Sequence, residues 1–242
     1  MSPPPGRDAP GAIRFLEQGE LDVLGLLPRS SNYTFLARVR SNGEEALAVY
    51  KPRRGEMPLW DFPEGTLCRR EVAAYEVARA LGWPPVPPTI LRDGPEGPGS
   101  VQLFVEHDPR EHYFTMRDRR PEDFRQVAAF DVVINNADRK AGHCLLSEDG
   151  RVYLVDHGVS FSVEDKLRTV IWDFAGEALP ADVCAELTGL CAQLREGPLR
   201  TKLEDLLARR EIEAAVRRCE RLVQAGRLPP PGPGRPYPWP PV

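Results

Sequence analysis

Lysine is scarce in this 242-residue chain: of 32 cationic side chains, only Lys51, Lys140, Lys166 and Lys202 are not arginine. Codon bias accounts for the arginines. It leaves the retained lysines as positions where a compact ammonium is worth explaining. Cysteine pairs are missing too. Cys68, Cys144, Cys184, Cys191 and Cys219 form no C-x-x-C, no zinc-like spacing with histidine and no even framework, so small buried thiols in a reducing compartment are expected. No apolar run approaches the roughly 20 residues of a membrane span, and the start, MSPPPGRDAPG, has no apolar leader core; the expectation is a cytoplasmic protein without a transmembrane segment. A positive surplus is also absent. The net charge of −4 removes the global basic field on which nucleic acid or an anionic membrane would settle, leaving only a local patch open.

What is present is 41% hydrophobic and 28% charged, ordinary globular material for one large domain or two small lobes. Twelve of the 26 prolines crowd the two ends. Residues 1–11 and 229–242 are therefore expected to be disordered or polyproline-like, and the tail PPPGPGRPYPWPP is a segment that could dock on a partner's aromatic groove, with a solvated end the plainer expectation.

Between those ends two halves differ. Over 12–106 the pattern is mainly strand. Leu21–Leu27, Thr34–Arg40 and Ala46–Lys51 are separated by the polar turns Arg29–Asn32 and Ser41–Gly43; a helix runs from about Thr66 to Leu81, stopped by Gly82, and Gln102–Glu106 reads as a closing strand. Over 107–228 the pattern is mainly helical. His107–Arg120 is charge-rich and reads as a solvated surface; Pro121 opens a helix, a hairpin spans Cys144–Val155, and Ile212, Ala215, Val216, Cys219, Leu222 and Val223 form one apolar stripe ending at Gly226.

Chemistry concentrates in a few short segments. Leu47, Val49 and Lys51 share one strand face, and Glu71 sits in the apolar seam of its helix with Leu67, Ala74, Ala78 and Leu81. A carboxylate in that seam and an amine at the end of that face each need the other, so a Lys51–Glu71 ion pair is expected. Glu76, on another face, is expected to meet water. In the second half Asp138 is followed by Lys140, His143 and Asp156, the last at the end of a strand and before His157 and Gly158. Phosphoryl transfer needs a carboxylate to orient a hydroxyl, a cation near the γ-phosphate and a carboxylate for a divalent metal. Asp138, Lys140 and Asp156 can fill these roles in that order. Each of these two segments alone reads as a turn; with the strand that ends in Lys51 they hold two of the four lysines and two of the four histidines. Asp131 is suited either to tying down the loop around Asp138 or to capping its own helix, and Arg139 to bracing a carboxylate.

The segments SSNYTF (30–35), VYK (49–51), REVAAYE (70–76), GSVQLFVE (99–106), DVVINNADRKAGHCLL (131–146) and VYLVDHG (152–158) resemble the phosphatidylinositol 3-/4-kinase-like superfamily. They are most similar to the type II phosphatidylinositol 4-kinases and to a group of actinobacterial proteins described as phosphatidylinositol-kinase-like. The resemblance implies an α+β, two-lobed protein-kinase-like fold, with an N-lobe over 12–106, a C-lobe over 107–228, and ATP with Mg²⁺ or Mn²⁺ between them. It implies that Ser30, Ser31 and Asn32 cover the phosphates, that Lys51, held by Glu71, contacts the α- and β-phosphates, and that Val49 and the stretch Gln102, Leu103, Phe104, Val105 and Glu106 meet adenine. Asp138 would be catalytic with Lys140 beside it, Asp156 the metal ligand, and His143 would stand at the second metal position. There the family has asparagine, and the loop at 30–33 lacks the family's glycine. Mg²⁺ prefers oxygen ligands over imidazole nitrogen, so one metal site is expected to be lost or to be filled by Mn²⁺. Transfer to a hydroxyl of a protein, lipid or metabolite is therefore set against a pseudokinase that only holds nucleotide. A small-molecule phosphotransferase of aminoglycoside type matches GSVQLFVE less well.

Overall fold

The computed structural model describes residues 9–28 and 32–242. The chain folds as α1 (Ala9–Gln18), β1 (Glu20–Leu26), β2 (Phe35–Ser41), β3 (Glu44–Pro52), α2 (Leu67–Leu81), β4 (Thr89–Gly94), β5 (Gly97–Leu103), a single turn α3 (Tyr113–Met116), α4 (Pro121–Ile134), the hairpin β6 (Cys144–Leu146) and β7 (Val152–Leu154), then α5 (Ala181–Arg195), α6 (Pro198–Glu204) and α7 (Arg209–Ala225). An antiparallel sheet of order β1-β2-β3-β5-β4 with α1 packed on it forms one lobe, and α3–α7 with the β6–β7 hairpin form the other, which makes the architecture α+β.

Side-chain alternation gives the sheet two unlike faces. Ala48 and Tyr50 of β3 are fully buried beside Val39, Val101 and the α1 residues Phe15 and Leu16, whereas Leu47, Val49 and Lys51 lie on the half-buried opposite face. Helix α1 lies partly within the stretch expected to be unstructured. Ala12, Phe15 and Leu16 supply an apolar stripe, and Arg92 donates from Nη1 to the Leu16 and Gly19 carbonyls at 2.6 and 2.8 Å, closing its C-terminal end.

The β4–β5 hairpin is another departure. Glycines and a proline in Gly97–Gly99 argue against a central strand, yet Gly99 faces Pro52, and a Cβ there would stand 2.4 Å from the Lys51 carbonyl. The missing side chain is what lets β5 approach the end of β3. The strand stops at Leu103, so Phe104–Glu106 continue past the sheet as connecting chain.

Helix α2 joins the two lobes. Ala73, Val77, Ala78 and Leu81 belong to the same buried cluster as α4, α5 and α7. Glu56 accepts from the Leu67 and Cys68 amides at 3.0 and 2.8 Å, placing a carboxylate on the positive end of the helix, and Gly82 ends it at φ 88°. Glu76 does not simply face water: Lys202 of α6 reaches it at 3.1 Å.

Two further expectations change. Within His107–Arg120, Tyr113 and Met116 are fully buried, because α3 packs under α4 with Tyr113 edge-on to Phe124. The proline-rich tail is docked on its own chain: prolines lack donors but keep their carbonyls. Pro236 O accepts from Thr169 N at 3.0 Å and Trp172 Nε1 at 3.1 Å, and Pro241 O from Ala141 N at 2.8 Å. The five cysteines are free thiols, four of them buried. No helix among the described residues is long and apolar enough to cross a membrane.

Candidate functional site

The lobes meet at Lys51. Its ammonium donates to Glu71 Oε1 of α2 and, at 2.9 Å, to Asp156 Oδ1 just beyond β7. Glu71 Oε2 accepts from the His157 amide at 2.9 Å, so this one buried carboxylate clamps the sheet lysine and the Asp156–Gly158 turn together. Asp156 adopts φ 61°, a left-handed conformation that aspartate tolerates and that leaves its side chain half exposed in the crevice. Burial alone would lower the Lys51 pKa, but Asp156 and Glu71 more than offset it and hold the amine charged. Lys51, ahead of the opposing effect of burial, holds Asp156 well below the usual carboxylate range.

The loop after α4 is fixed from below. Asn135 ends the helix at φ 53°, its amide bonded to the Asp131 and Val132 carbonyls. Asp131, fully buried, accepts twice from Arg139 at 3.0 Å and once from Asn136 Nδ2 at 3.2 Å; Arg139 Nη1 continues to the Val155 carbonyl at 2.9 Å. Asp131 thus ties down the loop, and the carboxylate that Arg139 braces is Asp131 itself. Asp138 rides on this scaffold with its amide on Asn136 Oδ1 at 3.0 Å and its carboxylate 3.4 Å from Lys140 Nζ. Burial, assisted by the Asp156 charge, raises its pKa against the pull of Lys140.

His143 connects the halves of the site. Its Nδ1 accepts from the Lys140 amide at 3.4 Å, so the proton of the neutral ring falls on Nε2, which lies 3.3 Å from Asp156 Oδ2. Burial is the main cause that lowers its pKa to about 4, and Arg139, Lys140 and Lys51 add to it against Asp156. The ring thereby presents a protonated nitrogen near Asp156 rather than a free nitrogen ligand. Asp156, half exposed, offers carboxylate oxygen, the donor Mg²⁺ prefers and commonly takes from proteins only once or twice beside substrate phosphates. That carboxylate fits a divalent ion; His143 in this tautomer does not. Among the described residues no cluster of three or more acidic, histidine or cysteine side chains is arranged around a metal position.

The other residues named from sequence fall as follows. Val49 is on the half-buried crevice face of β3. Gln102 is buried inside the sheet, its Nε2 on Thr89 Oγ1 at 2.8 Å, so its side chain is spent on the β4–β5 pair. Phe104 N donates to Leu47 O at 3.0 Å and Val105 O bonds His107 Nδ1 at 2.8 Å, while among the described residues nothing accepts the Val105 amide; Glu106 is exposed. Asn32 turns its carboxamide oxygen to the Met57 amide at 2.8 Å. Ser30 and Ser31 lie outside the described residues.

Sequence reasoning missed Arg70. Fully buried, it donates to the Ser160 carbonyl at 2.6 Å and to Glu211 of α7 at 2.5 Å, anchoring the chain that follows Asp156 to both helices. Its place on the inward side of α2, one residue before Glu71, was the available signal.

No family model matches the chain. It is 41% identical over 262 residues, 93% of each chain, to Protein Rv2133c of Mycobacterium tuberculosis, and it belongs to that protein's family. Over 154 residues it is 30% identical to phosphatidylinositol 4-kinase gamma 4 of Oryza sativa subsp. japonica, a match that takes 49% of this chain and 27% of the rice protein. Among solved structures, the Helicobacter pylori proinflammatory kinase CtkA superposes with a TM-score of 0.52 over 88% of this chain and 94% of its own, at 9% identity. The fold is kinase-like.

Proposed function

We propose that this member of the Protein Rv2133c family is an ATP-dependent phosphotransferase of the phosphatidylinositol 3-/4-kinase-like superfamily, acting on a hydroxyl acceptor in the reducing cytoplasm. The observation that carries the reading is the Lys51 ammonium bonded at once to Glu71 and Asp156, an amine of the sheet meeting carboxylates of both neighbouring elements. Lys51 receives the α- and β-phosphates, with Glu71 fixing its position. The segment Gln102–Glu106, through the Val105 amide, and Val49 hold the adenine, and Ser30–Asn32 cover the phosphates.

Asp138 orients the acceptor hydroxyl and takes its proton, helped by a pKa that burial raises above the ordinary carboxylate value, and Lys140 stands beside it to meet the charge of the transferred group. A divalent cation, Mg²⁺ or Mn²⁺, would be held by Asp156 and would neutralise charge on the phosphates. The second reading is a nucleotide-holding pseudokinase. It is favoured by His143 Nε2 lying on Asp156 Oδ2, where a metal would otherwise compete for the carboxylate.

Purified protein with γ-labelled ATP and either metal separates the two. Labelled product or phosphate is expected, falling by about 100-fold or more in D138N and D156A. Nucleotide binding without product under both metals replaces the first reading with the second; undiminished turnover in D156A overturns the assignment of Asp156.

A further inference from the structure

A cavity of about 800 Å³ lies away from the crevice, on the C-lobe, between the segment 165–168, α7 and the tail that follows it. Its size is that of a small-molecule site. Six cations line it: Lys166, Arg168, Arg218, Arg221, Arg227 and Arg235. Asp165 is the one acidic residue among its walls, and the apolar remainder includes Trp172, Leu222 and Leu228.

The pairing of those cations is incomplete. Lys166 is answered by Asp61 at 3.1 Å, outside the cavity. Arg221 and Arg218 share Asp165 at 2.9 and 3.5 Å. Arg168, Arg227 and Arg235 have no carboxylate within ion-pair distance among the described residues, in a protein whose net charge is −4. Arg218 carries the decisive feature. Its side chain is 4% exposed; Nε and Nη1 donate to the Val133 and Ser162 carbonyls at 3.2 and 3.1 Å, yet Nη2 is buried with no hydrogen-bond partner. Burial, and then Arg221 nearby, bring its pKa down to about 10 against the pull of Asp165. Three guanidiniums without a carboxylate, in a wall that holds a single acidic residue, leave the cavity short of negative charge.

We infer that this cavity binds a multiply phosphorylated molecule, its phosphates meeting Arg218, Arg168, Arg227 and Arg235 and its remainder lying against Trp172 and Leu228. The tail forms part of the wall. Pro236 O, bonded to Thr169 N and Trp172 Nε1, holds Arg235 over the opening. The site also abuts the loop that carries Asp138: the Arg168 amide donates to Asn136 O and the Arg168 carbonyl accepts from Arg139 N, each at 3.0 Å.

The test is equilibrium binding to the full chain by calorimetry, with tripolyphosphate and inositol hexakisphosphate as soluble probes and phosphatidylcholine vesicles with and without a phosphatidylinositol bisphosphate as the lipid arm. Saturable binding of a probe is expected in wild type and in K51M, and weaker by about tenfold or more in R227Q/R235Q, whose exposed side chains take no part in the core. Preference between the two arms tells whether the phosphate belongs to a free metabolite or a lipid headgroup. Binding that is lost in K51M belongs to the crevice and overturns the inference. So does equal binding in R227Q/R235Q, or no saturable binding of any probe; none of these outcomes depends on phosphotransfer.

Discussion

The crevice and the C-lobe cavity handle charge in opposite ways. In the crevice every cation already has an internal anion: Lys51 has Glu71 and Asp156, and Lys140 has Asp138. In the cavity, arginines outnumber the single acidic residue in the wall. A self-compensated site suits a ligand that brings its own counterion, since the pairs need only be exchanged. An uncompensated site is stabilised by a ligand that brings net negative charge alone. The two proposed anion sites are thus told apart by what each lacks before anything binds.

The largest way to break this contrast is D131A. It would strip Arg139 of its partner beneath the crevice and leave a buried guanidinium alone, an expected loss of about 3–5 kcal/mol in unfolding free energy, read from denaturant melts. A wild-type-like midpoint would show that the pair does not fix the loop.

Acid tests the same region. His143 binds its proton at about pH 4 in the folded protein against 6.5 when unfolded, so the unfolded chain protonates first. Stability is complete above pH 6.5 and falls as the pH drops toward 4, by about 3 kcal/mol at the end of the window. H143N should remove that share of the slope. His157, buried and shifted in the same sense, keeps the remainder. Identical slopes in wild type and H143N would contradict a neutral, buried His143.

The smallest effect sharpens the other side. R227Q/R235Q should change stability by no more than about 0.5 kcal/mol without ligand, because neither side chain pairs with a carboxylate among the described residues. A large loss would mean that these arginines belong to the structure rather than to a binding surface.

Much of the crevice was legible in the chain. The Lys51–Glu71 pair followed from two charges in apolar stripes that each lacked an answer, and Asp138, Lys140 and Asp156 from the density of rare residues in short segments. Asp131 was legible only as one of two roles. The β4–β5 hairpin was hidden because the glycines and proline of Gly97–Gly99 argue against a central strand, and the use of Gly99, a close approach to the Lys51 backbone, exists only when β3 is beside it. Helix α1 was masked by the prolines before it, and the docked tail by a composition that usually means solvation.

By itself the sequence determined which residues are paired by period, where helices stop and that one small set of segments carries the chemistry, because periodicity and capping are local. Tertiary structure alone decided which of 28 arginines are answered. Arg70 met Glu211 and Arg139 met Asp131, while Arg168, Arg227 and Arg235 gathered around one cavity without a carboxylate of their own among the described residues. An arginine has the same local pattern whatever waits across the fold, so its partner is settled only when distant segments pack.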